Sequence, residues 1–112
     1  MTVRNALHAG VRDIPGERTM DELFDVLSHR YRRHALVALR NRDGPTALAD
    51  LAVDVAERET DEPSDENLKE LAREIEISLY HVHVPKLADA EFVEFDRDRN
   101  TVRIHDGTTQ SV

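Results

Sequence analysis

Tyr80, His81, His83 and Lys86 fall within one short stretch, and Arg97 and Arg99 follow a little further on. Tyrosine and histidine can hydrogen-bond base edges or phosphates, while lysine and arginine neutralise phosphate charge. A second basic group lies upstream. Arg30, Arg32, Arg33, Arg40 and Arg42 occupy residues 28–42 with no acid among them, a local charge of +5. Of these, Arg30, Arg33 and Arg40 are candidates for phosphate contacts, which fix register without reading sequence. The chemistry these types and spacings suggest is the binding of a polyanion. Plainer readings stand beside it. Arg30, Arg32 and Arg33 could form a solvated helix face paired with acids of the next helix. One of His81 and His83 could pack on the core while the other faces solvent. Arg97 and Arg99 alternate with Asp96 and Asp98, so the tip that carries them could neutralise itself.

Bond-making chemistry is poorly supported, and the chain is expected not to be an enzyme. There is no glycine-rich phosphate loop, and Gly44 is an isolated turn residue. The carboxylates are scattered and form no recognisable acid–base pair. Ser28 stands beside His29 but suggests no third triad member. Without cysteine there is no disulfide, thiol nucleophile or thiolate metal site. His81 and His83 point roughly 200° apart on a helix, where each residue turns about 100°. No third ligand stands near them, so neither a metal nor another cofactor is expected.

The elements that must position these residues are legible from period and punctuation. Residues 1–18 show no sustained period and read as a flexible arm. Thr19 and Glu22 fit a capping box, and Met20, Leu23, Phe24 and Leu27 follow at helical spacing. Ser28 is the expected cap of a second helix with the stripe Tyr31, Ala35, Leu36 and Leu39. Asp43-Gly44-Pro45 ends it. Thr46 is the expected cap of a third helix, on which Leu48, Leu51, Ala52 and Val55 recur. After a polar loop marked by Pro63, Ser64 caps a fourth helix with Leu68, Leu71, Ala72, Ile75, Leu79 and Val82 on its stripe. Pro85 predicts a kink or break near His81–Val84, because a mid-helix proline removes a hydrogen bond and crowds the turn before it. Two competing readings are a separate recognition helix capped by Ser78 and a strand over 77–84. The helix is preferred because Leu87 and Ala90 continue the stripe. Phe92–Phe95 and Thr101–Ile104 then alternate as a hairpin whose turn suits Asn100.

A helix running almost directly into a β-hairpin is the ending of a winged helix-turn-helix, in which the helix can enter a DNA groove and the hairpin can touch the backbone. At 112 residues the chain fits one domain of modest core. It has no run of roughly 20 apolar residues and no apolar signal region, so a soluble, cytoplasmic protein without a membrane partner is expected. The net charge is −8, with thirteen arginines and only two lysines, Lys69 and Lys86. Many acids, few lysines and few aromatics resemble proteins of salt-loving archaea, so the acidity can report the solvent rather than the partner. Residues 43–76 alone carry twelve acids against Arg58, Lys69 and Arg73, a local charge of −9.

The run from Asp25 to Leu39, DVLSHRYRRHALVAL, resembles the first two helices of ArsR-like winged-helix regulators. More closely, that run is similar to the haloarchaeal winged-helix domains grouped as DUF7344. Thr46–Ala52, the Tyr80–Leu87 run YHVHVPKL inside Ser78–Ala90, and Phe95–Val102 carry the same likeness, over about residues 20–106. The resemblance implies a mainly α fold with a small β-hairpin, a winged helix-turn-helix over 19–106, and a disordered tail over 107–112. It implies a DNA-binding transcriptional regulator of a halophilic archaeon, acting on double-stranded DNA; a homodimer is expected because symmetric operators favour dimers and the short first helix with the N-terminal arm offers apolar surface for an exchange. The residues assigned to the DNA contact are Arg30, Arg33, Tyr80, His81, His83, Lys86, Arg97 and Arg99. The alternative is a winged-helix module for protein–protein interaction or dimerisation, favoured by six acids against Lys69, Arg73 and Lys86 over 65–90. One departure stands out: Glu91 follows Ala90 where many winged helices place glycine, so the turn into the wing is expected to differ.

Overall fold

The computed structural model describes residues 19–61 and 65–105. The expectations for the arm over 1–18, Pro63, the Ser64 cap and the tail over 107–112 fall outside those residues. Helix α1 spans Met20–Leu27 and opens with the expected capping box. Thr19 Oγ1 accepts from the Glu22 amide at 3.1 Å, and Glu22 Oε1 accepts from the Thr19 amide at 3.3 Å. Helix α2 spans Arg30–Arg40. Its cap is His29 rather than Ser28: His29 Nδ1 accepts from the Tyr31 amide at 3.1 Å. Ser28 instead closes α1, donating its hydroxyl to the Asp25 carbonyl at 2.7 Å.

Gly44, at φ +88°, turns the chain into a short strand β1, Thr46–Ala47. This strand overturns the reading of Thr46 as a helix cap. Thr46 is buried in the sheet, and Ala47 precedes helix α3, Leu48–Glu59, with no side-chain cap. Leu48, Leu51, Ala52, Val55 and Ala56 make the buried face of α3. It packs on helix α4, Asp65–Ser78, in the most extensive helix pairing of the described residues.

Beyond α4 the chain stays helical through a π turn, Leu79–His83, and helix α5, Val84–Asp89. The Val84 amide bonds the Leu79 carbonyl five residues back, so the helix widens just before Pro85. Widening relieves the crowding that the proline ring imposes on the preceding turn. It also adds a residue to the register. The expected stripe position Val82 is therefore 52% exposed, while Leu79, His83, Val84 and Leu87 are buried.

Helix α5 ends in a Schellman motif. The Glu91 amide bonds the Ala88 carbonyl at 3.0 Å, and the Phe92 amide bonds the Leu87 carbonyl at 2.9 Å. Glu91 itself takes the left-handed conformation, φ 66°. The corner thus has the usual geometry without the usual glycine, contrary to expectation. The apolar contact beneath it, buried Phe92 and Leu87, helps hold it. A residue with Cβ is strained there, so Glu91→Gly should raise the unfolding free energy by about 1 kcal/mol in a urea titration. A loss of stability would show that the Glu91 side chain contributes more than its backbone costs.

Strands β2, Val93–Asp96, and β3, Thr101–Ile104, form the hairpin. The sheet has three antiparallel strands in the order β1-β3-β2, not two. The register pairs Val93 with Ile104 and Phe95 with Val102, while Thr46 also faces Val102 across the other edge. At the tip, Asp96 Oδ1 accepts from the amides of Asp98 and Arg99, and Asn100 takes φ 52°. The result is a mainly helical fold with a small antiparallel sheet, and Val102 seals the sheet against the helical core.

Candidate nucleic-acid interface

The residues singled out by sequence divide into two groups. The first gathers where the end of α4 and the π turn meet the wing. Arg97 lies over the Tyr80 ring at 5.3 Å and over the Phe95 ring at 4.9 Å, and those rings meet edge-on at 5.8 Å. Such cation–π contact holds the guanidinium in place while leaving its donors available. Tyr80 also meets His81 edge-on at 4.9 Å. Arg99 has no ion pair among the described residues; its amide closes the Asp96 turn while its side chain is exposed. A groove of about 310 Å³ runs alongside, lined by Leu48, Arg73, Glu76, Ile77, Tyr80, His81 and Asn100. A wing cleft of about 570 Å³ is lined by Arg97, Arg99 and Arg103 together with Glu94, Asp96 and Asp98. Arg103 is bound across the strand pair to Glu94 at 2.9 Å.

Arg73 and Asn100 were not among the sequence candidates. The signal for Arg73 was available: Lys69, Arg73 and Ile77 repeat every four residues and lead to His81, which places them along one helix face. Asn100 was read only as a turn residue. Nothing in sequence announced that the chain reversal would bring it beside α4.

The second group surrounds the junction of α1 and α2. Arg30 Nε binds Glu59 at 2.6 Å, and His34 Nε2 lies 2.9 Å from the other Glu59 oxygen. Pairing with the third helix is the plainer of the two sequence readings, and Arg42 follows it with Asp54. Arg33 donates to the Leu27 carbonyl at 2.7 Å. Lys86 Nζ binds Asp25 at 2.6 Å, and that contact holds the Asp25 carboxyl below its ordinary range. Arg40 is exposed at the end of α2, with no ion pair among the described residues.

Arg32 and His83 differ most from expectation, being only 6% and 4% exposed. Arg32 is not on a solvated face. Its Nε donates to the Val26 carbonyl at 2.6 Å and its Nη2 to the Asp25 carbonyl at 3.0 Å. Its Nη1 lies 2.9 Å from His83 Nδ1. Arginine can only donate, so Nδ1 accepts and His83 carries its proton on Nε2. Burial is the main cause that pushes His83 down to about 4, with the His29 and Arg32 charges adding to it. Buried among His29, Tyr31 and Arg32, His83 is not placed to reach a base edge. It is a packing residue, and the split between a core and a solvent histidine describes His83 and His81. Among the described residues, no group of three or more His, Asp or Glu could hold a metal ion.

A strip joining Arg33, His81, Lys86 and Arg99 is therefore not assembled as a free surface, because Arg33 and Lys86 are engaged with α1. Of the cations, Arg73 lines the groove beside His81, while Arg97 and Arg99 line the wing cleft, and Arg97 meets the groove through the Tyr80 ring. A small helical domain with an arginine-bearing hairpin beside a helix groove is the class these features define. The chain belongs to the DUF7344 family, a domain of unknown function, which matches residues 24–103. No curated protein and no solved structure gives a match. No helix among the described residues is long and apolar enough to cross a membrane.

Proposed function

We propose that this chain is a winged helix-turn-helix DNA-binding regulator, in which the α4 face and the wing contact the duplex. The order α2-β1-α3-α4-α5-β2-β3, with α4 and α5 joined through the π turn and a sheet ordered β1-β3-β2, supports the winged-helix reading. The single observation that carries the DNA reading is the placement of Arg97. It is held on Tyr80 and Phe95 and lines the wing cleft with Arg99, while Tyr80 itself also lines the groove that holds Arg73 and His81. Arg97 and Arg99 are suited to backbone phosphates, and His81, Tyr80 and Asn100 to base edges. The acidic composition and few lysines support a high-salt setting, that of a halophilic archaeon, in which the repulsion between the acidic surface and DNA is screened.

Fluorescence anisotropy with genomic duplex fragments, from low salt to molar potassium chloride, tests the reading. The double variant Arg97→Ala, Arg99→Ala should bind about tenfold more weakly and flatten the log–log salt slope by about 2. Unchanged affinity and slope would take the wing out of the interface. Absence of binding to any fragment at every salt concentration would end the DNA reading. The second reading, a protein-interaction module, is favoured by one observation: Glu66, Glu70 and Glu74 are exposed on α4 beside Lys69 and Arg73, and such a face repels DNA at low salt.

A further inference from the structure

Ile77 is an apolar residue in a polar row. It is 58% exposed, whereas Ile75 and Leu79, on the other side of the same helical run, are fully buried and fill the core. Arg73 precedes Ile77 by one helical turn and His81 follows it by one, and both are exposed. Residues four apart share a helix face, and all three line the groove beside the wing. The groove is built firmly. Leu48, 1% exposed, lies at its base, and the Leu48 amide donates to the Asn100 carbonyl at 2.9 Å, tying α3 to the wing. The Tyr80 ring beside Ile77 is held by the Arg97 guanidinium and by Phe95. Ile77 is thus presented outward at a fixed place in the groove.

Duplex DNA offers few apolar groups to such a side chain. The major groove shows hydrogen-bonding atoms on every base pair and a single apolar group, the C5-methyl of thymine. Arg73 suits the O6 and N7 acceptors of guanine. Glu76, which also lines the groove, suits the amino group of cytosine and repels phosphate, so this face is fitted to base edges rather than to the backbone. Isoleucine has no hydrogen bond to give. Set against a cytosine edge it would strip water from the amino group without replacing the lost bond. Set against a thymine methyl it removes apolar surface of both partners from water. Four helical residues rise about 6 Å, close to two base-pair steps of about 3.4 Å each. Arg73, Ile77 and His81 therefore address separate base pairs when the helix lies along the groove.

On the DNA reading of α4, on which this step depends, we infer that Ile77 is a specificity-determining residue that reads the C5-methyl group of a thymine. The base pairs read by Arg73 and His81 flank that thymine, about two steps away on either side.

Genomic duplex fragments made with thymine, or with uracil at every thymine position, differ only in that methyl group. In fluorescence anisotropy of the full chain in molar potassium chloride, the tightest-binding fragment should lose about fourfold in affinity for each contacted methyl when uracil replaces thymine. Ile77→Ala should bind the thymine form about fourfold more weakly and no longer distinguish the two forms. Its salt slope should be unchanged, because no phosphate contact is lost. Val37→Ala, at an exposed apolar position on α2, should keep the wild-type preference. Ile77 is exposed, so alanine leaves the core intact, and an unchanged far-ultraviolet circular dichroism spectrum checks this. Equal affinity of the wild type for both forms overturns the inference and leaves DNA binding standing, the outcome if Ile77 meets deoxyribose carbons or a protein partner instead. A preference that persists in Ile77→Ala also overturns it, since the methyl would then act through the shape of the duplex. Failure to bind any fragment in either form removes the DNA reading itself, and the role of Ile77 with it.

Discussion

Arg32→Ala should lower the unfolding free energy by about 3–4 kcal/mol, the largest loss expected from any single charged residue in this chain. Arg32 is buried, yet it makes no ion pair with a carboxylate among the described residues. Its charge is met by the C-terminal carbonyls of α1, where the helix dipole concentrates partial negative charge, and by neutral His83. Its Nη2 also donates to Ser28 Oγ at 3.3 Å. Alanine removes every one of these donors at once. It leaves the Val26 carbonyl and His83 Nδ1 short of partners, while Ser28 still serves the Asp25 carbonyl, at about 1–3 kcal/mol for each unsatisfied group that cannot relax. Arg32→Lys should recover only part of the loss, because an ammonium cannot reproduce the planar fork. Arg33→Ala removes one exposed bond to Leu27 and should cost no more than about 1 kcal/mol. Urea denaturation of the three variants at fixed salt measures the differences. A loss for Arg32→Ala no larger than that for Arg33→Ala would mean that α1 is not anchored through this guanidinium.

Acid should destabilise the fold by about 2 kcal/mol between pH 6.5 and 4, much of it above about pH 5, where most carboxylates are still ionised. The sign follows from His83. Its ordinary value is 6.5, and burial together with the His29 and Arg32 charges holds it at about 4 in the folded chain. Through that window the unfolded chain binds a proton that the folded chain refuses, so stability falls as pH falls. The contribution of His83 is complete above pH 6.5 and gone below about pH 4. The full drop from 6.5 to about 4 corresponds to about 3.4 kcal/mol, and local opening around the charged ring is expected to relieve part of it. His29 adds in the same direction, lowered first by burial and then by its arginine neighbours. Asp25 acts in a separate range. Its bond to Lys86 lowers its value from 3.8, and that contribution is lost only in stronger acid. His83→Gln retains an acceptor for Arg32 without a titrating ring, so its stability should vary much less over the window. Equal slopes for the two proteins would assign the acid sensitivity elsewhere.

Much of the scaffold is legible in the sequence because its causes are local. The Thr19–Glu22 box, the periodic faces of α2 and α3, and the alternation of β2 and β3 depend on residues close in the chain. The wing arginines and Tyr80 and His81 could be assigned to the candidate site for the same reason. Strand β1 could not be read in this way: two residues show no period, and Thr46 has the composition of a cap until β3 pairs with it. Glu91 shows the reverse case, in which the bond from the Phe92 amide to the Leu87 carbonyl and the burial of both side chains in the core hold a backbone conformation its residue type disfavours.

The fates of the candidate cations and histidines belong to the tertiary structure. Pro85 announced a disturbance in the helix, but not that a π turn would absorb it and advance the register by one residue. That advance turns Val82 outward and His83 inward, against an arginine of α2 that sequence alone leaves on a solvated face. Lys86 is then carried to Asp25, far away in the chain, and Arg97 to Tyr80. Sequence by itself determined which segments are helices, where the hairpin lies and which residues carry charge. Only the packed chain decided which charges are already neutralised, because hydrogen bonds and ion pairs between distant segments depend on how the helices face one another and leave no periodic trace.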